Sequence, residues 1–192
     1  MGAFLICKRK KINDVDPAIV LFAEMGFTSP TSFETGEWMI YAYPRMVDDN
    51  CHVISYNGCR LVSAGSIIYK GLDCCDSLTA LLKDYLSGNI VLEQLIGQYT
   101  LLFCSADSIE ILCDPLGSKH IFTDNGHSFF SSHMLPVCQC VTGDLHINRK
   151  AFYEKFLTGI IMPPNTIFRE IVQIDRRISE CINQENAGIK FI

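Results

Sequence analysis

The side chains in this chain that can attack, move a proton or hold an ion are above all ten cysteines and five histidines. Their spacing argues against a metal centre. Cys74 and Cys75 are adjacent and Cys138 and Cys140 straddle one residue, whereas structural zinc knuckles set two residues between paired thiolates. His52, His120, His127, His133 and His146 never fall at the i, i+4 interval that places two imidazoles on one helix face, so each reads as a surface or hydrogen-bonded residue. The basic run Lys8 to Lys11 reads as a solvated strand end. Asp114-Pro115-Leu116-Gly117 is a turn whose carboxylate is placed to satisfy backbone donors, a structural rather than catalytic role.

The bulk composition narrows the setting for these groups. A chain of 192 residues, 48% hydrophobic and 19% charged with twelve Phe and seven Tyr, has the profile of one folded domain (1–192) with a well-filled core. A net charge of -5 gives no reason to expect nucleic acid, which is held by clustered Lys and Arg. The apolar segment Ala3 to Cys7 precedes the basic residues, the reverse of a secretory signal, and is too short to span a bilayer. Gly2 fails as a myristoylation site because Ile6 stands where Ser or Thr is required. A cytoplasmic protein with reduced cysteines, bound to no membrane, is the expectation.

The elements that would position these residues follow from pattern. Ala3 to Cys7 is a buried strand at the very start of the chain, and Asp14 to Met25 is a short helix with Pro17 in its first turn. Glu37 to Tyr43 is a strand, and His52 to Tyr56 and Cys59 to Ser63 form a hairpin about Asn57-Gly58, both favouring positive φ. Asp76 to Leu86 carries the helical stripe Leu78, Leu81, Leu82, Tyr85, with Gly88 as its stop. Gln98 to Ser105 and Ser108 to Cys113 are strands, and Ile121 to Thr123 and Ser128 to Ser131 pair around Asn125-Gly126. Asn148 caps a helix through Phe156 that closes at Gly159, Thr166 to Ile174 is extended, and Ile178 to Ile192 reads as a last hairpin. Clustered strands and segregated helices indicate an α+β layered fold of antiparallel sheets.

Cys113-Asp114-Pro115-Leu116-Gly117-Ser118-Lys119-His120-Ile121-Phe122 resembles the Arg-Asp-Pro-Leu-Gly-x-x-Pro-Leu-Tyr segment of class II glutamine amidotransferases of the asparagine synthetase type. Leu95-Ile96-Gly97-Gln98-Tyr99, Phe129-Phe130-Ser131-Ser132 and Pro164-Asn165-Thr166-Ile167-Phe168-Arg169-Glu170-Ile171 resemble the neighbouring motifs in the same order, so the likeness runs end to end. It implies the N-terminal-nucleophile hydrolase fold, a four-layer αββα sandwich of two antiparallel sheets. In that family the first strand presents a cysteine whose own α-amine helps its thiol attack the glutamine amide. Methionine removal here exposes Gly2, which carries no nucleophile, and Cys7 lies a strand's length away at roughly 3.3 Å per residue. The oxyanion-hole segment corresponds to Ala64-Gly65-Ser66-Ile67-Ile68-Tyr69-Lys70 with a one-residue insertion and no Asn, and losing one such donor costs on the order of a hundredfold or more in rate. The family's Arg-Gly-Pro-Asp segment is unrecognisable around Gly26 to Phe33.

By the same resemblance Arg45 matches the arginine that grips the glutamine α-carboxylate, Asp76 matches the carboxylate that holds the α-ammonium, and Gly65 stands with them as a substrate-binding remnant. Arg45 reads equally as a surface ion-pair partner, and Asp76 as the cap of the helix that follows it. The implied function is a glutaminase-inactive domain of an asparagine-synthetase-type, ATP-dependent amide- or lactam-forming ligase, akin in its missing cysteine to β-lactam synthetase and lasso-peptide cyclase. ATP and Mg would then belong to an adenylating synthetase domain or subunit, since this chain has no glycine-rich pyrophosphate loop. A non-catalytic module binding glutamine or a peptide through Arg45 is the second reading, and an active glutaminase the third. A homodimer is compatible with either.

Overall fold

Ala3 to Cys7 is apolar at every position because the strand it forms, β1 (Ala3–Lys8), is buried on both faces. A computed structural model describes residues 2–44, 51–185 and 188–192. β1 is followed by α1 (Asp16–Glu24), β2 (Thr31–Thr35), β3 (Trp38–Tyr43), β4 (Val53–Tyr56), β5 (Cys59–Tyr69) and α2 (Cys74–Leu86). Then come β6 (Leu95–Cys104), β7 (Ile109–Cys113), β8 (Phe122–Asp124), β9 (Phe129–Ser131), α3 (Met134–Cys140) and α4 (Arg149–Thr158). The last elements are β10 (Ile171–Gln173), α5 (Arg176–Glu185) and β11 (Ile189–Phe191).

The strands form two sheets, one of six strands in the order β10-β8-β9-β1-β3-β2 and one of five in the order β11-β7-β6-β5-β4. The period-two alternation of β1 divides its side chains between two cores. Phe4 and Ile6 meet Trp38, Ile40, Val62, Ala64, Leu102, Ile111 and Phe130 between the sheets, with Trp38 edge-on to Phe130 at 5.7 Å. Ala3, Leu5 and Cys7 face the opposite way, beneath Ala18 and Phe22 of α1 and Val137 and Cys138 of α3. On the far side of the second sheet, Leu61, Leu101 and Phe103 pack under Leu78, Leu81 and Leu82 of α2. Each large apolar side chain so buried contributes about 1.5–3 kcal/mol. The result is a mixed α+β sandwich, with α1 and α3 covering the outer face of the first sheet and α2 that of the second. Among the described residues no helix is long and apolar enough to cross a membrane.

Several expectations are corrected. The second sheet is not wholly antiparallel, because β11 runs parallel to β7 from Ile189↔Ile109 to Phe191↔Ile111. The expected hairpin Ile178 to Ile192 is instead α5 followed by β11. Ile178 and Ile182 sit one helical turn apart against the inter-sheet core, and the Asp175 carboxylate accepts from Ile178 N at 2.9 Å as a cap does. The Asn57-Gly58 turn has φ of 48° and 77° at its two central residues, as its hairpin requires. The β8–β9 turn differs. His127, not Gly126, takes the left-handed conformation, and the Asp124 carboxylate holds the loop through Gly126 N, Ser128 N and Phe129 N.

The cysteines are not all reduced. Cys51, just before β4, and Cys75, in the first turn of α2, are joined in a disulfide with their Cα atoms 5.2 Å apart. Docking of the β4–β5 hairpin on α2 brings two residues separated by 24 positions within bonding reach.

Candidate functional site

Gly2 is buried where β1 begins, between the two sheets. A Cβ on it would stand 3.1 Å from the Tyr43 carbonyl oxygen, 3.2 Å from that of Ser63 and 3.8 Å from Ala64 Cα. The fold therefore brings position 2 against Ala64, two residues 62 positions apart in the sequence. Both carbonyls belong to sheet strands, β3 and β5, and a side chain at position 2 enters only if they yield by a few tenths of an ångström. The site has neither a nucleophilic atom at this point nor ready space for one.

Cys7 offers no substitute. It lies at the other end of β1, fully buried, and burial, followed by the Asp14 charge, pushes its thiol up to about 11. A protonated thiol without access is inert.

Gly65 is fixed by the backbone. Its φ is +126°, and a Cβ on it would sit on the Gln98 carbonyl oxygen and 2.9 Å from Tyr99 Cα. Gly97 is its reciprocal, with φ of +140° and a Cβ that would sit on the Ser66 carbonyl. β5 and β6 cross so closely here, Gly65 opposite Tyr99 and Gly97 opposite Ile67, that only glycine fits on either side. Glycine at 65 is thus demanded by strand packing whether or not a ligand ever lay over it. The sequence motif included Gly97, but only the register shows that Gly97 and Gly65 flank one pair, Ser66 opposite Gln98.

Asp76 does not cap its helix. α2 begins at Cys74, and Asp76 is exposed within the first turn, where a carboxylate favours the helix dipole. Its neighbour Ser77 is the residue that turns inward, its Oγ accepting from Tyr69 N at 2.5 Å and tying α2 to the end of β5. Arg45 lies outside the described residues.

Asp114 is buried and accepts from Leu116 N at 3.1 Å, Ser118 N at 3.1 Å and Lys119 N at 3.3 Å, the structural role its turn implied. Gly117 closes the turn at φ +60°, its N–H donating to the Asp114 carbonyl at 2.9 Å, while Pro115 and Leu116 face solvent. Cys113, just before the turn, pairs with Thr100, and Thr100 with Ala64, so the turn anchors the row of residues that faces Gly2.

A polar shell around the start of β1 escaped sequence reasoning. Ser132 Oγ accepts from Phe4 N at 3.1 Å, Ser131 Oγ donates to the Phe4 carbonyl at 2.9 Å and accepts from His133 N at 3.1 Å, and His133 Nδ1 lies 3.0 Å from Ser132 Oγ. The imidazole sits edge-on to Phe27 at 5.2 Å and Phe22 at 5.9 Å. Burial, then the Lys119 ammonium, lowers its pKa below 6.5. The unfolded chain therefore takes up this proton first, so the folded state loses stability as the pH falls below about 6.5, until the folded imidazole itself titrates. Comparing melting temperatures at pH 7.5 and 5.5 should show a larger loss for the native protein than for His133→Asn. Equal losses would place the imidazole in water. The Ser-Ser-His run was the available signal, since hydroxyls beside a strand end commonly bond its backbone.

Among the described residues no group of three His, Cys, Asp or Glu side chains converges as metal ligands would. No protein-family model matches the chain, and no curated protein matches it in sequence.

Proposed function

We propose that the chain is an amidotransferase-like domain of an asparagine-synthetase-type, ATP-dependent amide- or lactam-forming ligase, built on the N-terminal-nucleophile hydrolase fold and unable to hydrolyse glutamine. The observation that carries this reading is the packing at Gly2. A residue without a side chain stands where the resemblance puts the nucleophile, against an alanine where it puts the oxyanion donor, and sheet carbonyls crowd the missing Cβ. Hydrolysis by this route needs a thiolate and a donor aimed at the developing oxyanion, and Gly2 and Ala64 supply neither at these two positions. The amine acceptor would then come from the substrate itself, and activation by ATP and Mg would be the work of an adenylating synthetase domain or subunit.

Purified protein should release no ammonia from glutamine above background. Gly2→Cys, with the initiator methionine removed, should also stay silent, because its thiol enters a crowded position and meets no oxyanion donor. It should destabilise the fold by about 1–3 kcal/mol, the usual cost of overpacking. Thiol-sensitive glutamine turnover in the native protein would overturn the proposal. Turnover gained by Gly2→Cys alone would show that the oxyanion hole is intact despite Ala64.

A further inference from the structure

α4 is well formed at both ends. The Asn148 carboxamide oxygen accepts from Ala151 N at 3.3 Å, and Gly159 ends the helix at φ +79°. Yet only Ala151 is buried on it, and among the described residues the helix packs closely against no other helix or strand. Phe152, Tyr153, Phe156 and Leu157 recur at three- and four-residue intervals to form one stripe, which continues into Ile160 and Met162. All six are exposed, Phe156 and Leu157 to 79% and 78%. With aromatic and long aliphatic side chains presenting roughly 150–250 Å² each, the stripe leaves on the order of 700 Å² of mostly apolar surface in water. That exceeds the largest patch of a typical monomer, about 300–600 Å², and matches the roughly 800 Å² that each partner gives to a standard interface.

From this we infer that α4 is the two-fold interface of a homodimer, packing antiparallel on α4 of a second copy. The charges on the helix favour that occupant. Its first turn holds Arg149 and Lys150 and no acidic residue, so two cations oppose the positive end of their own helix dipole. Lys150 pairs with Glu154 at 3.8 Å, whereas Arg149 makes no ion pair among the described residues. Antiparallel packing sets Arg149 beside the carbonyl end of the partner helix, where a cation is favourable. It also separates the two N-terminal cation pairs by about 15 Å, the length of ten helical residues, beyond the Debye length at physiological salt. The inference is independent of the amidotransferase reading.

Sedimentation velocity over the micromolar range should show a species of twice the 21.6 kDa chain mass. Phe156→Glu combined with Leu157→Glu should weaken dimerisation at least about thirtyfold, the loss expected for a central aromatic anchor, and Arg149→Glu should weaken it too. Both sites are exposed, so circular dichroism should report an unchanged fold. In the unmodified protein, amide hydrogen exchange across 149–158 should slow as concentration rises. A native protein that stays monomeric, a dimer that survives the double substitution, or α4 exchange independent of concentration would each overturn the inference.

Discussion

Gly65→Ala should unfold the protein or leave it barely folded, although it adds a single methyl group. The new Cβ falls on the Gln98 carbonyl oxygen and 2.9 Å from Tyr99 Cα, in a backbone conformation, φ +126°, that L-residues rarely adopt. Relief by side-chain rotation is impossible because the obstacles are the neighbouring strand's own backbone. The cost combines left-handed strain with overpacking, on the order of 3–5 kcal/mol, which is a large fraction of the 5–15 kcal/mol by which domains are stable. Urea denaturation of Gly65→Ala and Gly97→Ala measures it. The two glycines face one contact between β5 and β6, so their effects should be non-additive, the double variant losing less than the sum because the first substitution already forces the strands apart. Gly58→Ala, at a hairpin turn with nothing near its Cβ, is the control for conformational strain alone. Gly65→Ala with native stability would mean that the strands separate freely here, and that glycine at 65 owes nothing to the sheet.

What could be read in the sequence was whatever local physics decides. β1 announced itself because a run apolar at every position suits a strand covered on both faces, and α4 because Asn148 and Gly159 bracket it with a cap and a left-handed stop. Asn57-Gly58 fixed a hairpin through the φ preference of two residues. What was missed depends on tertiary context. α3 carries Pro136 and no side-chain cap, and owes its helicity to Val137, Cys138 and Cys140 sinking onto β1 and α1. α5 is hidden in the sequence because its cap, Asp175, and its one apolar face, Ile178 and Ile182, show their roles only once the helix docks on the core. The Cys51–Cys75 bond could not be foreseen, since it follows from where a hairpin docks on a helix. The candidate site divides the same way. Gly2 and Ala64 were named through a family resemblance, and only the sheet stacking sets them side by side. Ser131, Ser132 and His133 gather around β1 through β9 pairing, a contact 127 residues long in sequence.

Asp114→Ala should destabilise the protein by on the order of 3 kcal/mol, because one buried carboxylate accepts hydrogen bonds from three backbone donors of its turn. Asp114→Asn divides that effect. Its carboxamide oxygen can still take Leu116 N and Ser118 N, which share Oδ1, but its NH₂ would face the Lys119 N–H that Oδ2 accepts, donor against donor. About half the loss, 1–2 kcal/mol, is therefore expected from Asn. Gly117, at φ +60°, holds the same turn from the other side, so Gly117→Ala should add strain without removing any acceptor, and costs about 1–2 kcal/mol. The ranking Ala > Asn is the decisive feature: a carboxylate acting only by charge would leave Asn as damaging as Ala, whereas an acceptor of backbone hydrogen bonds must not. Chemical denaturation supplies the ranking, and hydrogen exchange at Leu116, Ser118 and Lys119 locates it. The consequence reaches the site because Cys113 ends β7 immediately before the turn, opposite Thr100 and through it Ala64. Freed of Asp114, that strand end should fray, and exchange at Thr100 and Cys113 should quicken in Asp114→Ala while the distant Asn57-Gly58 hairpin stays protected. Quickening at both places alike would mean global destabilisation, and would sever the turn from the packing around Gly2.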